Sequence, residues 1–431
     1  MRALAVVVLV AACGRFGFAP DETVDANADA DVDALVGTAH VDIHVAGVGA
    51  VNIGGTWCAG TCGVDLPLGP VALQIVPGDG QEVVADTSVC PLGCDVLRGD
   101  SVIDVTFAPA ITANVVFITS IGPALPFGGL SGADAFCQQR AVAGGLSGTF
   151  IAMLSTTTVN LRDRLTGRGW VRRDGRTVFD LNSDVFLRQV NPIALDEFGN
   201  AKMGGIFPSA TNDDGTVAPG TTCGDWTAMT GLTEVRQPGF SGAKYETGNN
   251  GPCDQLQALF CAEVGKNVPT VAAKWPFGRY AFLTSVAFDP ALGIAAADAL
   301  CGSQASAASL PGTYRALLAD VGTTAASRFT SLAGPWRRTD GALITLGDIS
   351  GPIDTPLNRA ANGGPAGIAR AWLGGYDANT VGTAASTCNG WTTNASGATG
   401  AFHFAYDTRA WAQNGNFGCP QGPVGLFCLQ E

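Results

Sequence analysis

The chain has 431 residues, too long for one ordinary hydrophobic core and suited to two or three domains. It is Gly-rich, low in charge and acidic, with 58 glycines and a formal net charge of −13, which argues against a nucleic-acid backbone or an anionic membrane surface as its main partner. Thirteen cysteines point to an oxidising compartment and disulfide bonds, and the odd count sets one cysteine apart.

The first element is Met1-Arg2 followed by an apolar run from Ala3 to Ala12. That run is too short to span a bilayer and has the length of a signal-peptide core. It ends Val10-Ala11-Ala12-Cys13-Gly14, which resembles the lipobox of bacterial lipoproteins. The resemblance implies a signal peptide over residues 1–13, lipid modification of Cys13 and a place in the cell envelope, at the outer membrane or cell surface. No later run is long enough to span a membrane, so the lipid is the expected anchor. Residues 14–37 read as an acidic, disordered tether, because Asp21 to Asp33 carries six acids and no base. The alternation of Asp25, Asn27, Asp29, Asp31 and Asp33 is superficially like a calcium loop but lacks the Gly and distal Glu of an EF-hand.

Residues 38–110 alternate apolar and polar, as in His40 to Val45 and Ala72 to Val76, which predicts a small all-β module. It holds the close pairs Cys58/Cys62 and Cys90/Cys94. Two C-x3-C pairs also suit a zinc site, but export favours disulfides.

The remainder is an internal duplication with an offset near 165 residues. Phe117 to Ser120 recurs as Phe282 to Ser285, Gly132 to Cys137 as Ala296 to Cys301, and Ser147 to Phe150 as Pro311 to Tyr314. Trp170 to Gly175 recurs as Trp336 to Gly341, Thr222 to Thr227 as Thr387 to Thr392, and Leu259 to Cys261 as Leu426 to Cys428. Two copies, residues 112–263 and 277–431, are therefore expected to share one fold across a Pro-containing linker, residues 264–276. Each begins with a strand (Val115 to Thr119; Tyr280 to Thr284), continues into an Ala-rich helix, and ends in short strands between long Gly/Asn/Ser-rich loops. This is an α+β pattern.

Each copy has four cysteines, Cys137, Cys223, Cys253 and Cys261, then Cys301, Cys388, Cys419 and Cys428. Their intervals are 86, 30 and 8 residues in the first copy and 87, 31 and 9 in the second. Four cysteines allow three pairings. The arrangement resembles C-type-lectin-like domains. More closely, it resembles a bacterial family of endostatin-like lipoprotein domains, through Gly129 to Cys137, Gly148 to Phe150, Trp170 to Gly175, Thr222 to Thr227 and their second-copy counterparts. The resemblance covers nearly all of residues 112–431 and implies two tandem lectin-like domains. It also implies the bridges Cys137–Cys261, Cys223–Cys253, Cys301–Cys428 and Cys388–Cys419. Family members from spirochaetes bind host extracellular-matrix proteins and complement regulators, so the resemblance implies surface binding.

The calcium-binding motifs of sugar-binding lectins, Glu-Pro-Asn or Gln-Pro-Asp with Trp-Asn-Asp, are absent. Near the inner cysteines stand Asn212, Asp213, Asp214, Asp225, Asn249 and Asn250 in the first copy, and Asp377, Asn379, Asn389, Asn414 and Asn416 in the second. Of these, Asp225, Asn249, Asn250, Asp377, Asn389 and Asn416 are the candidate ligand-binding residues, although Asn249-Asn250 and Asn414-x-Asn416 alone read better as turn residues. Trp226 and Trp391 are candidate aromatic anchors, against the alternative that they pack on the neighbouring disulfide. Arg172-Arg173 and Arg337-Arg338 read as solvated turns. The only histidines, His40, His44 and His403, do not recur between copies, and no nucleophile elbow, metal triad or phosphate loop is present. The expectation is a non-enzymatic binding protein, without cofactor or metal, for an extracellular protein or carbohydrate. A structural envelope protein is the alternative.

Overall fold

The computed structural model describes residues 37–69, 71–86, 97, 99–186, 189–202, 207–236, 250–255, 258–405, 408, 415–420 and 422–431. Cys13, the tether up to residue 36, Cys90, Cys94, Asn249 and Asn414 lie outside them. The architecture is α+β, and no helix among the described residues is long and apolar enough to cross a membrane.

The alternation read in residues 38–110 produces a four-stranded sheet in the order Thr61–Pro67, Thr38–Ala46, Ser101–Pro109, Gln81–Asp86. Along Thr38–Ala46, Ala39, Val41 and Ile43 turn inward while His40, Asp42 and His44 face out, as a period of two requires. A second sheet of Thr56–Cys58, Gly49–Ile53 and Leu73–Pro77 completes the module, and a Cys58–Cys62 disulfide joins the strands at its edge.

Both copies are built around the same central strands. In the first, the sheet order is Thr177–Phe179, Trp170–Val171, Asn114–Ile118, Phe260–Val264, Thr149–Ala152. In the second, Leu343–Thr345, Trp336–Arg338, Arg279–Leu283 and Gly425–Gln430 repeat that order, and Tyr314–Ala316 pairs on Gly425–Gln430. The opening and closing strands of each copy are thus antiparallel neighbours at the centre of its sheet. The second copy's sheet continues through Arg370–Trp372, Thr399–Phe404 and Gly415–Gly418, whereas the first keeps its long-loop strands in a separate sheet of Phe207–Pro208, Leu232–Arg236 and Asn250–Pro252.

One long helix packs on each sheet, α1 over Gly129–Ala143 and α2 over Gly293–Ala307. Their inward residues are small and spaced by four, Ala133, Cys137 and Ala141 in α1 and Ala297, Cys301 and Ala305 in α2. The stripe lets the helix approach closely enough for its central cysteine to bond the closing strand, giving Cys137–Cys261 and Cys301–Cys428. Cys223–Cys253 and Cys388–Cys419 close the long loops.

The segment expected as a linker is strapped down. Trp275 is buried with Ala50 and Leu343, and Trp57 stacks on Phe277 at 5.2 Å. The Asp79 carboxylate of the β-module accepts the Thr177 N–H at 2.8 Å and the Ala273 N–H at 3.1 Å, tying three parts of the chain together. Beside it Gly80 and Gly175 meet so closely that a Cβ on Gly80 would lie 1.7 Å from the Gly175 carbonyl oxygen. The copies also join directly, through Arg176 with Asp354 at 3.1 Å and Thr355 with Asn191 at 2.7 Å.

Candidate functional site

The motif Thr-Cys-x-x-Trp-Thr forms one turn of left-handed helix in each copy. Cys223, Gly224, Asp225 and Trp226 have φ of 49°, 60°, 54° and 69°, and Cys388, Asn389, Gly390 and Trp391 have 47°, 57°, 71° and 56°. L-residues avoid this region because Cβ crowds the following carbonyl oxygen. The turn persists because its surroundings over-determine it. Thr222 and Thr387 accept, through Oγ1, the N–H groups of Asp225 and Gly390. Thr227 and Thr392 donate their hydroxyls to the carbonyls of Gly224 and Asn389. The disulfide fixes the first residue, and the indole N–H fixes the last, Trp226 to the Ser155 carbonyl and Trp391 to the Ala319 carbonyl, both at 2.8 Å.

Trp226 and Trp391 are therefore core residues, 1% and 0% exposed, and the reading of them as surface anchors is corrected. A ring that must satisfy its N–H inside a strained turn leaves no face for a partner. The arginines after the other repeated tryptophan are corrected in the same way. Arg172 and Arg338 are buried and close on Asp174 and Asp340 two residues on, and Arg338 also bonds the Asn358 side chain at 2.9 Å. Burial opposes the charge on Asp174 and Asp340, but Arg172 and Arg176 around the first and Arg338, the Ala342 N–H and Arg359 around the second together hold each carboxyl below its usual range.

A further repeated pair escapes sequence reading. The aspartate of each helix reaches the next strand, Asp134 accepting the Ala152 N–H at 2.9 Å and Asp298 the Ala316 N–H at 3.0 Å. Arg164 then bonds both oxygens of Asp134 at 2.6 and 2.7 Å, and Arg328 bonds Asp298 at 2.5 Å. The matched Ala-Asp-Ala blocks were a signal, but an acid in an Ala-rich helix ordinarily marks a solvated face.

The exposed faces of the two turns are unlike. In the first copy the Asp225 carboxylate accepts from the Thr157 N–H at 2.8 Å and hydroxyl at 2.7 Å, and the Thr157 backbone bond foremost holds its carboxyl below the usual range. In the second copy Val321 and Gly390 occupy those two positions, and a Cβ on Gly390 would sit 3.6 Å from both Asp320 Oδ1 and Val321 Cγ2. Val321 is 52% exposed and joins the 374–382 loop through a bridge to Gly382, while Tyr376 and Val381 of that loop are 58% and 49% exposed. The first copy thus presents a Thr–Asp pair on its turn, and the second a valine and a glycine beside the Asp320 carboxylate, with exposed Tyr376 and Val381 on the adjoining loop.

The remaining candidates are dispersed. Asp377 closes its own turn by accepting the Asn379 N–H at 2.9 Å and the Thr380 hydroxyl at 2.8 Å. Asp214 does the same with Thr216. Asn389 is exposed on its turn, Asn416 is exposed on the strand Gly415–Gly418, and Asn250 begins the strand Asn250–Pro252. Asp225 and Asn389 belong to different copies and hold different positions in their turns. Among the described residues no group of three or more His, Cys, Asp or Glu side chains is placed to hold a metal ion. Compared with models of known protein families and with curated protein sequences, the chain finds no match.

Proposed function

We propose that the chain is a non-enzymatic binding protein of the cell surface, lipid-anchored at Cys13, whose two lectin-like domains engage an extracellular protein or carbohydrate through the faces around their left-handed turns. The lectin-like reading draws support from three features: opening and closing strands paired at the sheet centre, a helix stapled to the closing strand, and a second disulfide across the long loop. The observation that carries the functional reading is the contrast between like interiors and unlike exteriors. Asp134–Arg164, Arg172–Asp174 and the Trp226 indole bond recur as Asp298–Arg328, Arg338–Asp340 and the Trp391 indole bond, while Thr157–Asp225 gives way to Val321–Gly390. Strained backbone that its surroundings over-determine clusters at functional sites, and loops on a rigid scaffold are where binding resides.

The test is binding of the purified full chain to a combined array of glycans and extracellular proteins, with calcium and again with chelator. The proposal expects saturable binding that survives chelation. A blank array in both arms would favour a structural envelope role instead.

A further inference from the structure

The second copy contains a cavity of about 200 Å3 between the end of α2 and the loop at 360–362, lined by Ser285, Gln304, Asn362 and the four alanines 307, 308, 360 and 361. The first copy shows what such a space is built to hold. The N–H of Ile118 bonds the Leu195 carbonyl and that of Leu283 the Arg359 carbonyl, so Glu197 and Ala361 are counterparts, as are Phe198 and Asn362. Arg140 and Gln304 stand six residues after the matched helix aspartates Asp134 and Asp298.

In the first copy the space is full. Glu197 is fully buried and its carboxylate accepts the Ser120 N–H at 2.8 Å, the Ser120 hydroxyl at 2.6 Å and the Arg140 Nε–H at 2.7 Å, while Phe198 lies over the Arg140 guanidinium at 5.7 Å. In the second copy all three side chains have changed together, to Gln304, Ala361 and Asn362, and the ion pair and its aromatic cover are gone. The Ser285 N–H is still met, now by Gln304 Oε1 at 3.0 Å. That bond requires the oxygen of the amide to face Ser285, so Nε2 is directed elsewhere. Asn362 is held likewise, its Oδ1 accepting the Gly364 N–H at 3.0 Å. Neither Gln304 Nε2 nor Asn362 Nδ2 donates to any described residue.

The lining therefore offers two side-chain amides, the Ser285 hydroxyl, four alanines and no charged side chain. The Arg140 guanidinium suits a carboxylate, whereas neutral amide donors with no counter-charge suit a neutral carbonyl oxygen. We infer that this cavity is a subsite for the acetamido group of a terminal N-acetylhexosamine, its carbonyl accepting from Gln304 and Asn362 and its methyl resting on Ala307, Ala308 and Ala361. At about 200 Å3 it falls below the roughly 300–1,000 Å3 of sites that enclose a whole small molecule, which fits one substituent of a larger ligand. The inference rests on the reading of the chain as a binding protein and gives one of its sites a ligand class.

The experiment is saturation-transfer NMR on the purified full chain with methyl N-acetyl-β-glucosaminide, methyl β-glucoside and acetamide. The expected result is strongest saturation at the acetamido methyl, a signal about tenfold weaker or less from the glucoside, and detectable saturation of acetamide. The double variant Gln304→Arg/Ala361→Glu rebuilds the first copy's own ion pair in the cavity and should abolish the acetamido signal. Asn362→Asp, at an exposed position, removes one donor, retains the bond to Gly364, and should weaken the signal severalfold if the double variant does not fold. Equal saturation of glucoside and N-acetyl sugar, or an acetamido signal unchanged in the folded variants, would overturn the inference. If the variants keep the full chain's array binding but the sugar signal never appears, this subsite fails while the binding reading stands. A blank array defeats both.

Discussion

Replacing Gly390 by Ala tests the handedness on which the turn description depends. Gly390 has φ 71° and ψ 34°, and a Cβ there would find no atom closer than 3.6 Å, so the substitution introduces strain without a clash. Alanine in the left-handed region costs about 1–2 kcal/mol, offset in part by about 0.4–1 kcal/mol from the reduced freedom of the unfolded chain. The net expectation is a loss of about 1 kcal/mol. Gly302 is the internal control, because it lies inside the right-handed α2 with no atom within 4 Å of an added Cβ. Gly302→Ala should stabilise the same copy by about 0.5–1 kcal/mol. Urea unfolding followed by tryptophan fluorescence reads both variants, and exchange of the Trp391 amide, bonded to the Thr387 carbonyl at 2.6 Å, reads the turn locally. Exchange at Trp391 should quicken roughly fivefold in Gly390→Ala. If Gly390→Ala stabilises as Gly302→Ala does, the turn is not left-handed and the argument from strain falls.

Asp298→Ala removes the partner of Arg328 Nη2 and of the Ala316 N–H, and should lower stability by about 1–3 kcal/mol in denaturant unfolding, with Asp134→Ala acting similarly in the first copy. Paired serine substitutions should rank with the loop that each disulfide closes. Loss of Cys301–Cys428, spanning 127 residues, should cost about 5 kcal/mol, and loss of Cys388–Cys419, spanning 31, about 4 kcal/mol, both read by thermal unfolding. On the β-module, the hydrogen bond that the His40 Nδ1–H donates to the Asp65 carboxylate at 2.7 Å foremost raises the His40 pKa above its ordinary value. Its contribution favours the folded state below about pH 6.5 and disappears as pH rises through the raised value, so NMR titration should place His40 above 6.5 and Asp65→Asn should bring it down.

The duplication was legible because its blocks fall on residues with strict structural demands. The cysteines staple, the small helix residues let α1 and α2 approach their sheets, and Trp226 and Trp391 fill the same space in each copy. The disulfide pairing implied by the lectin resemblance appears in both copies. What sequence left hidden depends on contacts between distant residues, which leave no local period. Arg338 looks like a solvated turn residue until Asp340, Asn358 and the Pro356 carbonyl surround it. The segment 264–276 looks like a linker until Asp79, nearly two hundred residues earlier, captures the Ala273 N–H. The left-handed turn was half visible, since Gly224 and the pair Asn389-Gly390 are residues that tolerate positive φ, but nothing local placed Trp226 and Trp391 there as well. The cavity beside Gln304 was invisible, because it follows from what Ala361 and Asn362 omit relative to Glu197 and Phe198.

The most direct test of the central claim is to take the strongest ligand from the array and measure its affinity for three full-length chains. These are the parent, Tyr376→Ser/Val381→Ser to dull the second copy's face, and Thr157→Val/Asp225→Gly to remove the first copy's polar pair. The account predicts that at least one face variant loses about tenfold or more in affinity while its thermal unfolding stays near that of the parent. Parent-like affinity in both variants would contradict it, because the faces around the turns would then have no part in binding.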